Sequence, residues 1–261
     1  MENGVSRKGT LILTEARSGS NWLGSLSNRT GLLGVSEEWI AANFSKIKLG
    51  SVTFERFCDR IIELASTPNG YFCIKIFPRH LLHVQIVYGR DLIMELEKRF
   101  DTQLILLKRQ DRFSQAVSFA RAKQSGQWKS TTDKNRPEVY DFKLICRCFA
   151  SIERSYSFWD SYIAARTLDV TRFIYEDLVP NPDVFVKTLA LHAGIAEYPT
   201  PKSELKVQRN DTSKLWVEQF KADLKIENIL ESTIPRPPHI TLSNLIYFFR
   251  KRPQRPRYFD L

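Results

Sequence analysis

The stretch TLILTEARSGSNWLGSLSNRTG, residues 10–31, decides the fold. An apolar strand is predicted at Thr10–Thr14, a loop rich in Ser and Gly follows it, and an amphipathic helix is predicted at Asn21–Asn28. Backbone N–H groups at the start of a helix have no partner inside the helix, and the aligned peptide dipoles favour negative charge there. The stretch therefore predicts an anion site built from a strand, a tight loop and a helix start.

The side chains of this loop suit an anion. Gly19 lets the backbone approach a ligand closely, while Ser18 and Ser20 supply hydroxyl donors. Arg17 adds a permanent positive charge with a planar fork of donors. A capped turn at the surface is the alternative interpretation, because short Ser/Gly turns before helices are common. The loop lacks the Gly-x-x-x-x-Gly-Lys-Ser/Thr pattern of a nucleotide-triphosphate P-loop, which disfavours a kinase or NTPase.

The rest of the chain alternates short β-branched or Leu-rich runs with longer segments of helical period. This alternation predicts an α/β protein with a largely parallel sheet flanked by helices. The other predicted strands are Tyr71–Phe77, Gln103–Lys108 and Arg172–Tyr175. The other predicted helices are Phe54–Ala65, Leu92–Phe100, Phe113–Gln124, Val139–Ala165, Pro182–His192 and Ser213–Leu224.

Composition excludes several classes of protein. The 261 residues are 43% hydrophobic and 26% charged, a globular mixture that argues against disorder or a fibre. Apolar runs fall far short of the ~20 residues that span a bilayer, so no membrane span is predicted. Glu15 and Arg17 follow the first apolar run closely, so no secretory signal is predicted either. A cytoplasmic protein is expected. Its four cysteines show no paired framework and are predicted to be reduced, mostly buried thiols, with no metal site; they are Cys58, Cys73, Cys146 and Cys148.

The net charge of +10 is uneven along the chain. About half of it lies in residues 235–261, where six Lys and Arg residues face one Asp. Within this tail the apolar run Leu245–Phe249 precedes the basic cluster Arg250–Arg252, a combination compatible with docking on an anionic membrane surface. Packing of the tail on the protein body, or on a second subunit of a homodimer, is the alternative. The predicted organisation is one domain over residues 1–230 and a basic, proline-rich extension over residues 231–261.

The loop at Arg17–Ser20 resembles the 5′-phosphosulfate-binding loop of sulfotransferases, which grips the donor 3′-phosphoadenosine 5′-phosphosulfate (PAPS). The stretches QLILLKR at 103–109 and SQAVSFARAKQSGQW at 114–128 are similar to those of bacterial sulfotransferases related to trehalose 2-sulfotransferase. Residues 172–178 and 208–224 resemble the last core strand and the C-terminal helix of that group. The resemblance implies a P-loop-like sulfotransferase fold for residues 1–230.

The resemblance also implies where PAPS binds. The residues that would hold its 5′-phosphosulfate are Arg17, Ser18, Gly19, Ser20, Asn21 and Trp22. Arg109 at the end of a strand and Ser118, about two helical turns later, would hold its 3′-phosphate, with Ser114 as the substitute for Ser118.

Sulfuryl transfer to a hydroxyl needs a base, positive charge at the transferring group, and in-line positioning. Arg17 is expected to supply the charge, and Lys75 is the candidate for a second catalytic cation. A Lys inside a strand must face a cleft or pair with an acid, and the resembling subgroup has a Lys at the matching place. A Lys on the solvent face of an edge strand is the alternative.

The base is predicted from the resemblance too. Alignment of Thr30-Gly31 with the subgroup places the catalytic carboxylate at Glu38, with Glu37 as its neighbour. A buried Glu flanked by apolar residues can have its pKa raised toward neutrality and accept a proton efficiently. An exposed acidic helix start is the alternative for both carboxylates, and His80 and His83 are the alternative bases.

The predicted function is transfer of a sulfuryl group from PAPS to a hydroxyl of a sugar or glycolipid, with the bisphosphate PAP as product. Val35-Ser36 stands where the subgroup commonly has Glu-Pro, which leaves room for an acceptor pocket unlike that of a trehalose enzyme. No nucleic acid is expected as a partner of such an enzyme. The alternative is a non-enzymatic nucleotide- or nucleic-acid-binding protein that uses the basic surface.

Overall fold

A computed structural model describes residues 7–41, 48–128, 136–199 and 211–226. Its centre is a parallel sheet of four strands in the order β2-β1-β3-β4. The strands are β1 (Lys8–Leu13), β2 (Phe72–Ile76), β3 (Asp101–Lys108) and β4 (Thr171–Ile174). The α/β fold class is confirmed, and each predicted strand is present with its ends shifted by at most two residues.

Helices connect the strands. In the described residues they are α1 (Ser20–Arg29), α2 (Phe54–Ala65), α3 (Pro78–Tyr88), α4 (Leu92–Arg99), α5 (Arg112–Ser125), α6 (Phe142–Arg166), α7 (Tyr175–Leu178), α8 (Asp183–Ala193) and α9 (Asp211–Ile226). The sequence reasoning missed α3 and the single turn α7. Helix α3 begins with Pro78 in its first turn, where proline fits because the N–H it lacks would have no helical partner, and Gly89 ends it in the left-handed region.

The sheet is buried on both faces. Leu11 and Leu13 of β1 point into a large core that also holds side chains of α2 and α6, whereas Ile12 points into a smaller core with α1 and α8. All three side chains are fully buried. A strand covered on both faces carries an unbroken apolar run, which is why Leu11-Ile12-Leu13 shows no polar alternation.

The strand order brings the loops that follow β1 and β3 next to each other. Because the strands are parallel, all their carboxyl ends lie at one edge of the sheet. The chain moves from β1 outward to β2 and then crosses back to β3, so the direction of winding reverses between β1 and β3. Open α/β sheets bind ligands in the crevice at such a switch point. The loops that carry Arg17 and Arg109 follow these two strands.

Cys58, Cys73, Cys146 and Cys148 are buried free thiols, as predicted. Burial raises the pKa of both the Cys58 and the Cys73 thiols to about 12, which keeps them protonated. None of the helices in the described ranges is long and apolar enough to cross a membrane. The basic tail lies outside the described residues, so the domain boundary at residue 230, membrane docking and a homodimer stay predictions.

Candidate active site

The loop after β1 depends on an unusual backbone conformation. Arg17 has φ of 62° and Gly19 has φ of 91°, both in the left-handed region. A Cβ atom on Gly19 would lie 2.2 Å from Cδ2 of Tyr175, so only glycine fits there. Gly19 is the N-cap of α1, and the first turn of this helix contains no acidic residue. Its first N–H groups are therefore available to an external anion.

Hydroxyl groups tie this loop to the neighbouring strand. The Thr14 hydroxyl lies 2.7 Å from Oγ of Ser18 and 2.8 Å from the carbonyl oxygen of Leu107 in β3. Thr14, Ser18 and Ser20 are all buried. The Ser-Gly-Ser turn is thus anchored to the centre of the sheet and is not a peripheral capped turn.

Three of the residues predicted to bind PAPS meet at the switch point. Nε of Arg17 donates a hydrogen bond to Oγ of Ser118 at 2.9 Å, and Nη1 of Arg17 donates to the carbonyl oxygen of Trp128 at 2.6 Å. Nη1 of Arg109 donates to the carbonyl oxygen of Arg17 at 3.4 Å. Ser118, not Ser114, contacts Arg17; the Ser114 N–H instead donates to Oδ1 of Asp111 at the start of α5.

The Arg17 guanidinium is partly buried close to two other guanidinium groups. Burial, followed by the charges of Arg109 and Arg121, lowers the pKa of Arg17 to about 10. A negative charge placed among these groups would favour their charged forms and offset the repulsion. The cluster therefore has the charge and the donors of an anion site.

Glu176 orients Arg109 and the loop that carries it. Its carboxylate accepts hydrogen bonds from the N–H groups of Gln110 and Asp111 at 2.8 and 3.2 Å, and Oε1 lies 3.4 Å from Nε of Arg109. The Arg109 guanidinium also lies 5.4 Å from the centre of the Tyr175 ring. Glu176 thus shapes the loop after β3 and restrains its arginine.

Trp22 and Asn21 lie in the first turn of α1 but contact different neighbours. The Trp22 ring packs edge-on against Tyr175, with ring centres 5.9 Å apart. Oδ1 of Asn21 accepts a hydrogen bond from Nζ of Lys75 at 2.5 Å. Asn21 therefore joins the anion-binding loop to the strand at the sheet edge.

Lys75 is buried, with 1% of its side chain exposed, although β2 is an edge strand. Its Nζ lies 3.5 Å from Oε2 of Glu37 as well as contacting Asn21. The solvent-facing alternative is wrong, because the residues before Glu38 cover this edge of β2. A catalytic role for Lys75 stays a prediction.

Glu37 and Glu38 are both partly buried, so neither is the fully exposed carboxylate of the alternative interpretation. Glu37 forms a parallel bridge with Ile74 of β2, and its carbonyl oxygen accepts a hydrogen bond from the Lys75 N–H at 3.0 Å. Burial raises the pKa of Glu38, while the positive charges of Lys75 and Arg79 lower it without cancelling the rise. The carboxylates of Glu37 and Glu15 raise it further.

The two histidines lie in α3 and differ in exposure. His80 is buried and stacks on Phe77 with ring centres 5.0 Å apart, whereas His83 is exposed. Burial lowers the pKa of His80 to about 3, with the charges of Arg79, His83 and Lys75 adding to the effect. His80 is therefore neutral at physiological pH and a weak base.

The sequence reasoning missed a buried carboxylate beside the loop. Glu15 is 3% exposed and accepts hydrogen bonds from the Ala16 N–H at 2.6 Å, Nη1 of Arg79 at 2.8 Å and the Ser155 hydroxyl at 2.5 Å. The Arg79 guanidinium also lies 4.3 Å from the centre of the Phe77 ring. Glu15 thereby links the loop to α3 and α6 through partners 64 and 140 residues away, which no local pattern reveals.

A sequence profile described as Stf0 sulphotransferase matches residues 91–223, from the residue before α4 into α9. The chain belongs to the Stf0 sulphotransferase family. The predicted family is thereby confirmed. The match includes Arg109 and Ser118 of this Stf0 protein, whereas Arg17, Glu38 and Lys75 precede it.

Two solved structures similar to the Stf0 chain are sulfotransferase domains. The domain from the Synechococcus PCC 7002 olefin synthase is 14% identical, with a TM-score of 0.38, and the alignment covers 87% of this chain and 98% of the domain. The domain from the curacin biosynthetic pathway is 12% identical, with a TM-score of 0.40, and the alignment covers 84% of this chain and 97% of the domain. No curated protein matches the chain.

The part of the Stf0 chain that the structure describes contains no group of three or more His, Cys, Asp or Glu residues able to hold a metal ion. The Cys146-x-Cys148 pair, which the sequence offered as weak evidence of a metal site, lies in the core of α6. Burial raises the pKa of the Cys148 thiol to about 11, which opposes formation of the thiolate that metals bind.

Proposed function

We propose that this sulfotransferase works in the cytoplasm and moves a sulfuryl group from PAPS to a hydroxyl of a sugar or glycolipid. One observation carries the proposal: Arg17, Arg109 and Ser118 converge beside the N-terminus of α1. They come from the loops and helices that follow the two central strands. Their donors and charges suit a ligand with two separate anionic groups.

The residues present fit such a donor. Arg17, the Ser18–Ser20 turn and the first N–H groups of α1 would hold the 5′-phosphosulfate, because glycine at position 19 leaves room for close approach. Arg109 and Ser118 would hold the 3′-phosphate. Both arginines gain a counter-charge in this arrangement, which offsets the burial and the neighbouring charges that lower the pKa of Arg17.

PAPS, when bound, supplies an activated sulfuryl group and a leaving phosphate. Arg17, and Lys75 through its position against Asn21 at the start of α1, would stabilise negative charge at the reacting centre. Glu38 accepts the proton of the acceptor hydroxyl on a carboxylate oxygen. Burial raises the pKa of Glu38 and makes it a better base, while Lys75 and Arg79 limit the rise so that the carboxylate stays available. The low pKa of His80 disfavours that residue as the base.

The acceptor class comes from the family resemblance. A sugar hydroxyl needs a base beside it, and the half-buried Glu38, whose pKa burial raises, would take this role. A lipid-linked sugar would bring the enzyme to an anionic membrane surface, where the basic tail would add affinity of ~1 kcal/mol per Lys or Arg near the lipid.

The full chain can be tested with PAPS labelled with ³⁵S, a panel of free sugars and glycolipids, and calorimetric titration with PAP. We expect PAP to bind at moderate salt far better than adenosine 5′-phosphate, and label to pass to at least one hydroxyl acceptor. Binding that falls steeply with rising salt and ignores the 3′-phosphate would instead favour the polyanion-binding alternative.

A further inference from the structure

Main-chain hydrogen bonds hold the segment before Glu38 against the end of α2 and against β2. The Val35 N–H donates to the carbonyl oxygen of Ala65 at 2.8 Å, and the Lys75 N–H donates to that of Glu37 at 3.0 Å. At Gly34, φ is 75° and a Cβ atom would lie 2.4 Å from the Cys73 nitrogen. Only glycine lets the chain lie so close to β2, and this contact fixes Glu37 beside Lys75.

The side chains of Glu37 and Lys75 then form a buried ion pair. Nζ of Lys75 lies 3.5 Å from Oε2 of Glu37, and the two side chains are 1% and 19% exposed. A buried ammonium is costly unless an opposite charge accompanies it. Asn21 offers Lys75 a dipole, and Glu37 offers it a full negative charge.

The carboxylates of Glu37 and Glu38 therefore interact with Lys75 in different ways. Glu37 pairs with it directly, whereas Glu38 experiences its charge, which lowers the Glu38 pKa. Without the charge of Glu37, less of the Lys75 charge would be neutralised, so it would act more strongly on Glu38. A general base engaged in an ion pair is a weaker base and is less available to a hydroxyl.

We propose that Glu37 is a positioning residue, which holds the Lys75 ammonium against Asn21 at the start of α1 and leaves Glu38 free to act as the base. This role rests on the proposed function, because it assumes that Glu38 takes a proton during sulfuryl transfer. Glu37 contacts no substrate in this scheme and acts through its ion pair with Lys75 and through its own charge, which raises the Glu38 pKa.

The pH profile separates this role from a structural one. The charged groups around Glu38 are Lys75 on β2, Arg79 on α3, and the carboxylates of Glu37 and Glu15, of which the last two raise its pKa. Glu37→Gln removes one of these negative charges and leaves the charge of Lys75 less neutralised. Both changes lower the Glu38 pKa, so the acidic limb of kcat should move to lower pH.

The experiment is a double-mutant cycle in the full chain with PAPS and the best acceptor found, using Glu37→Gln, Lys75→Met and the double variant. We expect Glu37→Gln to lower kcat about tenfold, to leave the PAP affinity within twofold, and to lower kcat much less in the Lys75→Met background. Glu63→Gln is the matched control, since Glu63 is exposed on α2 and pairs only with the surface residue Arg60 in the contacts described. Thermal unfolding checks the fold, and the double variant avoids an unpaired buried ammonium.

Equal losses from Glu37→Gln in both backgrounds, or an unshifted acidic limb, would overturn the positioning role while leaving the proposed function intact. Unchanged kcat in the single variant would do the same. Absence of transfer by the wild-type chain would overturn the proposed function, and this role with it.

Discussion

The proposed site has two sides, named here for the substrates that they would bind: a donor side at Arg17–Ser20, Arg109 and Ser118, and an acceptor side at Glu37, Glu38 and Lys75. The donor side lies at the two central strands, where burial and then neighbouring positive charges lower the pKa of Arg17. The acceptor side lies outside the edge strand, where burial raises the pKa of Glu38 although Lys75 and Arg79 oppose the rise. Opposite shifts within one crevice suit a reaction that binds an anion at one end and removes a proton at the other.

The largest expected effect is the loss of turnover caused by a substitution on the acceptor side. Glu38→Gln keeps the side-chain shape but cannot take a proton, so we expect turnover to fall at least ~100-fold while PAP affinity is unchanged. Steady-state rates and calorimetry on the same preparations measure both. Retained activity, combined with its loss in His80→Ala or His83→Ala, would move the base to α3.

A smaller effect on binding should come from the donor side. A charge-assisted hydrogen bond contributes ~1.5–3 kcal/mol, so Arg109→Ala should weaken PAP binding about tenfold or more. Adenosine 5′-phosphosulfate, which lacks the 3′-phosphate, should lose much less affinity. Arg172→Ala is the control, because Arg172 pairs with Asp160 at the surface. Equal losses for both nucleotides would remove Arg109 from the 3′-phosphate site.

The smallest effect should be on stability. The Glu38 pKa is raised in the folded chain, so its contribution to stability is fully present below the ordinary carboxyl pKa and is lost as pH rises through the folded value. Glu38→Gln cannot ionise and should therefore unfold a few degrees higher than the wild type at pH 7. The difference should vanish below pH 4 in calorimetric scans. A lower melting temperature at pH 7 would mean that the ionised carboxylate stabilises the fold.

The two sides also differ in how far the sequence predicts them. The donor loop is a local feature, in which strand, turn and helix start occupy consecutive residues, and Arg109 and Ser118 share one strand-loop-helix stretch. The contacts of the acceptor side depend on which strand lies at the edge of the sheet. The ion pairs Glu37–Lys75 and Glu15–Arg79 form only once β2 is placed beside β1. The spacing of apolar residues along the chain does not predict which strands are neighbours.

The helices also differ in how well the sequence predicts them. Phe54–Ala65 was predicted to the residue because one face of that helix is apolar. Helix α3 was missed because its apolar residues do not form a single stripe: Leu81 and Val84 are buried, but Ile86 is 53% exposed. Its β-branched residues and its initial proline also weaken the helical pattern.

The left-handed backbone of Arg17 has an evolutionary consequence. A residue with a Cβ atom costs ~1–2 kcal/mol in that region, whereas glycine does not. Selection for heat resistance would therefore favour glycine at position 17, and selection for sulfuryl transfer would favour arginine. A lineage that lost its need for the reaction would be expected to lose this arginine early, so the residue at position 17 would distinguish working enzymes from relatives that keep only the fold.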